Sequence, residues 1–421
     1  MVRQRFAFIA AIGVLISLGT PFFADKLLIP MDLTQTDHLK AYGVAFHVLQ
    51  AGGTVEWLLN YRGGSFMADY QVGIERECAL TGVRWEVIPA GAVLDIYQTI
   101  QAQNMEAILL EKAPRIAVYI PHNSEPWDDA VTLVLDYADI PYDRVWDEEV
   151  LSDKLMKYDW LHLHHEDFTG QYGKFYAAYH TADWYRQDVK ANQEMAQRLG
   201  FPKVSRLKLA VALTIREYVK QGGFIFSMCS ACDTYDIGLA AQNADICHNV
   251  FDGDPIEPGA QEKLDYKQTL AFENFQVELD PLVYEHSTID VTRDAQIRGP
   301  NVYFALFDFS AKFDPVPTML VQDHTALVKE FMGQCTGFHR AALKTSALVL
   351  GEVAGTDEIK YLHGNYGKGT FTYLGGHDPE DFEHMVMDPP TDLSNFKNSP
   401  GYRLLLNNVL FPAARKKELK T

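Results

Sequence analysis

With 421 residues, 47% of them hydrophobic and 22% charged, the chain is long enough for two domains and too apolar to stay disordered. A net charge of −19, with basic residues gathered only in the tail Arg415-Lys416-Lys417, offers nothing to a phosphate backbone, so nucleic acid is excluded as an expected partner. At the N-terminus, Arg3 and Arg5 precede an uncharged run from Phe6 to Ala24. A positive start followed by an apolar core reads as an export signal, which places the expected protein in the periplasm or cell envelope. Cleavage after Ala24 fits imperfectly, because Phe22 stands where a small residue is preferred. An uncleaved anchor is the alternative, since about 18 apolar residues just span a bilayer.

Residues 25–113 read as an N-terminal α/β region. "DKLLIPMD" is a strand, "HLKAYGVAFHVLQAG" a helix closed by Gly52-Gly53, and "TVEWLLNYRGG" a strand entering a glycine turn. "GVRWEVIPAGAVLDIYQTIQAQ" adds a strand and a helix. A second series starts at "RIAVYIP" and runs through the helix "PWDDAVTLVLDYADI", the segment "YDRVWDEE", the helix "LSDKLMKY" and the strand "DWLHLHH". A polar, aromatic insert at about 166–205 interrupts it; its tyrosines and tryptophans suit either a lid or a sugar-binding wall. The helix "RLKLAVALTIREYVKQGG" then feeds the strand "FIFSM". Strands alternating with helices at this spacing predict a doubly wound, mostly parallel sheet. Residues 243–337 have no clear period, and order returns with "SALVLGEV", the hairpin "HGNYGKGTFTYLGG" and the helix "PGYRLLLNNVLF".

In such a sheet, chemistry collects beyond the carboxyl ends of the strands. "AVYIP" ends at His122, "DWLHL" at His164-His165-Glu166, "FIFSM" at Cys229-Ser230 and "TFTYLGG" at His377-Asp378-Pro379-Glu380. These residues are expected to line one cleft. At "GGFIFSMCSACDTY", an apolar strand stops at Cys229 and a helical segment follows, which is the layout of a nucleophile elbow. The competing reading is a small buried hydrophobe ending a strand. Cys229 and Cys232 form a C-x-x-C, a weak sign of a redox pair, and the five cysteines leave at least one thiol unpaired within the chain.

The segment "HGNYGKGTFTYLGGHDPEDFEH" resembles the C-terminal motif of ThuA-like (trehalose-utilisation) proteins, within the class I glutamine-amidotransferase-like fold. Gly367-Lys368-Gly369 and Gly376-His377-Asp378 carry the likeness, which extends over about 114–415. It implies flavodoxin-like layering with an N-terminal α/β extension, Cys229 as thiolate and His377 as its base. It also implies an oxyanion hole from the Ser230 amide and the loop after His165. The family's glutamate two residues beyond the histidine is replaced by Pro379, so Asp378 and Glu380 are the acidic candidates.

The expected function is an exported hydrolase or amidotransferase-type enzyme that cleaves an amide or other carbon–nitrogen bond through Cys229 and His377. Asp378 and Glu380 assist, and Ser230, His164, His165, Glu166 and His122 hold the oxyanion and a small-molecule or carbohydrate-related substrate. The thiol is expected to ionise more readily than usual, helped by helix amides and a charged His377. One alternative is a non-catalytic carbohydrate-handling or envelope-binding module. Another is a metal-dependent hydrolase in which His164, His165, Glu166 and His377 ligate a divalent ion. No cofactor is expected on the leading reading. Adjacent His164 and His165 point to opposite faces of a strand, so both reach one ion only if the strand ends between them.

Overall fold

A computed structural model describes residues 25–123 and 125–414. The expected export signal, and with it any membrane anchor, lies outside these residues. Among them, no helix is long and apolar enough to cross a membrane.

Two sheets organise the chain. The first contains β1 (Lys26–Ile29), β2 (Val55–Leu59), β3 (Ser65–Asp69), β4 (Glu86–Ile88) and β5 (Glu106–Leu110), in the order β4-β1-β3-β2-β5. All four of its pairings are antiparallel. The strands β3 and β5 are not among the expected elements, because each holds only three or four consecutive apolar residues and does not alternate. Helix His38–Gln50 lies over this sheet, with Asp37 capping its first turn through the Lys40 amide.

The second sheet has ten strands. They are β6 (Ile116–Tyr119), β7 (Asp143–Val145), β8 (Trp160–Leu163), β9 (Phe224–Met228), β10 (Tyr303–Leu306), β11 (Leu327–Lys329), β12 (Phe338–His339), β13 (Leu348–Val353), β14 (Glu358–Tyr366) and β15 (Gly369–Leu374). Their order is β11-β10-β13-β14-β15-β9-β8-β6-β7, with β12 added on β14. This corrects the expectation of a doubly wound, mostly parallel sheet of the amidotransferase type. Only the β15-β9-β8-β6-β7 half is parallel. From β15 outward every ladder, including that of β12, is antiparallel, so the sheet is mixed. The reason lies in the connections. Parallel neighbours need a crossover, usually a helix, and helices join β6 to β9. From β13 through β14 to β15 the chain turns back in short hairpins, which return strands antiparallel.

The parallel half is covered on both faces. All five residues of β9 and all four of β8 are buried, as unbroken apolar runs of this kind require. His162 is therefore placed inside the sheet layer, its Nδ1 within 3.1 Å of the Phe226 carbonyl. One continuous core of buried side chains joins Tyr42 and Trp57 of the N-terminal region to Phe226, Tyr361 and Leu404 of the larger one.

Candidate metal centre

The carboxyl ends of three adjacent parallel strands are tied together by backbone hydrogen bonds. The Ala231 amide donates to the His164 carbonyl at 2.9 Å, and the Cys229 amide donates to the Gly376 carbonyl at 3.1 Å. The His377 amide donates to Met332 O at 2.9 Å. These bonds set His164, Cys229 and His377 side by side. Gly333 closes against them so tightly that a Cβ there would lie 2.9 Å from Cys229 Sγ and 2.9 Å from the His377 amide nitrogen.

β8 ends at Leu163, so His164 and His165 stand beyond the strand and need not point apart. Their ring centroids are 5.0 Å from each other, and those of His164 and His377 are 4.5 Å apart. One ligand atom from each of His164, His165 and His377 falls within 4.8 Å of the others. Carboxylates stand behind the rings: His165 Nε2 is 2.9 Å from Glu125 Oε2, and His164 Nδ1 is 3.3 Å from Asp129 Oδ1. Asp129 also reaches His162 Nε2 at 3.3 Å and caps the helix Ala130–Tyr137 through the Val131 and Thr132 amides. The remaining ring nitrogens His165 Nδ1, His164 Nε2 and His377 Nε2 are buried and have no hydrogen-bond partner.

The electrostatics follow from that packing. Burial pushes His164 down to about 4, against the pull of Asp129. Burial, with His164, His165 and His384 alongside, holds His377 well below the usual imidazole value. Burial works the same way on His165, but the Glu125 carboxylate overrides it and lifts the ring to about 9. Burial raises Glu166 to about 8. That carboxyl accepts the His164 amide at 3.0 Å and lines a small neighbouring cavity with Asp188 and Lys208.

Cys229 sits on a left-handed backbone (φ 48°) between β9 and the helix Ala231–Ala240. Such a conformation is costly for a side-chain-bearing residue. Its thiol is buried and accepts from the Gln334 amide at 3.2 Å. Burial pushes it up to about 11 even though the amides of Gln334, Cys335 and Ser230 favour the thiolate. The expected low-pKa thiol is thus reversed, because desolvation outweighs the amides and His377 carries no charge to help. All five cysteines are free, Cys229 and Cys232 included.

A cavity of about 340 Å³ is lined by Cys229, His165, His377, His384 and Gln334, with Trp127, Phe175, Tyr179 and Tyr284 among its walls. Other expected members lie elsewhere. Asp378 accepts the Glu380 amide at 2.9 Å and faces Thr391 and Tyr402, while Glu380 faces Ser399. Neither carboxylate backs His377, so no nucleophile–base–acid triad forms. Ser230 is buried at the helix start, and its carbonyl accepts from Thr234. His122 is exposed beside Glu149, 3.6 Å away, and lines no part of this cavity. Sequence reasoning missed His162, Glu125, Asp128, Asp129, Asp381 and His384. The readable signal was acidic residues at 125–129, just past β6, and a histidine seven positions beyond His377.

No family model matches the sequence, and no curated protein matches it. Cytoplasmic protein STM1381 from Salmonella typhimurium LT2 is 11% identical over 72% of this chain and 100% of its own, with a TM-score of 0.36. Cytoplasmic protein STM3548 from Salmonella typhimurium is 12% identical with the same coverage, at 0.35. A β-galactosidase from Bacillus circulans sp. alkalophilus is 14% identical over 62% of this chain and only 28% of its own, at 0.26. Likenesses this distant carry no argument about activity, which leaves function to the geometry of the site.

Proposed function

We propose that this protein is a divalent-metal-dependent hydrolase of a small polar substrate, with His164, His165 and His377 as ligands of the ion. The observation that carries this reading is the convergence of buried, partnerless imidazole nitrogens within 4.8 Å of one another. An unsatisfied buried polar group costs about 1–3 kcal/mol, so several together need something to bind. Three imidazoles suit a borderline cation such as zinc. Burial keeps His164 and His377 neutral, which is the ligating form, while His165, lifted to about 9 by Glu125, gives up its proton when the ion binds. Glu125 and Asp129 orient the rings from behind, as outer carboxylates do in metal sites. A divalent ion held there would polarise a water or a substrate carbonyl. The aromatic-walled cavity beside it has room for a small molecule.

Elemental analysis of untagged protein checks this. At least one equivalent of a divalent transition metal is expected, lost in His164→Ala, with chelation abolishing turnover of a panel of small amides and esters. Full turnover by metal-free protein would reject the reading.

A further inference from the structure

Next to the three-histidine set lies a second group whose geometry the first does not explain. One atom each from Asp128, His377 and His384 also falls within 4.8 Å of the others. His384 stacks on His377 with centroids 4.5 Å apart and planes 16° from parallel. Its Nδ1 lies 3.0 Å from Asp381 Oδ2, which fixes the tautomer and turns Nε2 inward. That Nε2 is 2.9 Å from Asp128 Oδ1, yet the contact lacks hydrogen-bond alignment. Both oxygens of Asp128 and Nε2 of His384 are buried and without hydrogen-bond partners, and the two side chains are 10% and 3% exposed. A buried carboxylate oxygen and an imidazole nitrogen this close, paired by distance but without hydrogen-bond alignment, have the spacing of two ligands of one cation.

Resting on the metal reading above, we propose that the centre takes two divalent ions, the second held by Asp128 and His384, with His377 between the two positions. The charge balance agrees. Glu125, Asp128, Asp129 and Asp381 each stand within 3.3 Å of a histidine nitrogen and supply the negative charge that two cations need once those histidines are neutral. Two ions about 3.5–4 Å apart are a recurring hydrolytic arrangement, in which one holds the attacking oxygen and the other the leaving or carbonyl oxygen.

The test uses full-length protein stripped with a chelator and titrated with Mn²⁺. Two equivalents are expected, and the six-line resonance of an isolated ion should collapse into a coupled spectrum as the second binds. His384→Ala and the isosteric Asp128→Asn should each saturate at one equivalent with the isolated-ion spectrum. Asp381→Asn should weaken only the second equivalent, by roughly tenfold. Wild-type protein that saturates at one equivalent, or a His384→Ala variant that keeps two, overturns the two-ion proposal and leaves the hydrolase reading standing. No binding at all overturns both.

Discussion

At Cys229 two features pull in different directions. The backbone is bent into the left-handed region, as at a nucleophile elbow, while the sulfur is surrounded by protein and its pKa is pushed to about 11. At neutral pH the group is a thiol, so alkylation by iodoacetamide should be slow and should quicken about tenfold per pH unit up to that value. Cys229→Ala should keep its metal and lose less than about tenfold in turnover. A loss of a thousandfold or more with metal content unchanged would move the reaction to the sulfur, and the strained backbone is the one observation that favours that outcome. His164 shows how a single boundary decides chemistry. Had β8 run on through His165, its ring and that of His165 would face opposite sides of the sheet. Ending at Leu163 allows the two centroids to approach to 5.0 Å.

Among the elements, β14 offers a clean test of buried-histidine electrostatics away from the candidate metal centre. His363 is buried between β14 and β15, its Nδ1 3.0 Å from Thr372 Oγ1, and burial pushes it down to about 4. A histidine that is neutral in the fold but protonates near 6.5 when unfolded contributes stability above pH 6.5. That contribution is lost as pH falls toward 4, because the unfolded chain then binds the extra proton. Denaturant titrations should therefore show wild-type stability falling more steeply than that of His363→Gln between pH 6.5 and 4, by up to about 1.4 kcal/mol per pH unit. Parallel slopes would show that this ring is not neutral in the fold. The hairpin that carries His363 was legible in the sequence, as were β6, β8, β9 and the helices over them, because periodic apolar runs and glycine turns are local signals. The strands β10, β11 and β12 were not, since short strands between irregular turns leave no period to read. The site was half legible for the same reason. His164, His165, Cys229 and His377 immediately follow recognisable strands, whereas Asp128 and His384 arrive on loops whose paths depend on distant contacts.

For the molecule as a whole, the two sheets behave as one body because one core serves both. Arg403, fully buried on the helix Pro400–Leu410, donates to the carbonyls of Met31 at 3.1 Å and Gly63 at 2.8 Å and faces Asp323 at 3.7 Å. Arg403→Met would strip the Gly63 carbonyl of its Arg403 bond and take the guanidinium from buried Asp323, leaving that carboxylate only His324 beside it, a loss of about 3–5 kcal/mol. Calorimetry should still show a single transition, shifted down, rather than the separate melting of residues 25–113; two resolved transitions would contradict a shared core. The bonds that join the ends of β8, β9 and β15 have a further consequence. The Ala231 and Cys229 amides link strand ends in the middle of the larger sheet, where local opening is least frequent. On the proposed reading such a platform holds its ligands in place before an ion or substrate arrives, and changes in what the site accepts would arise in the loops above it.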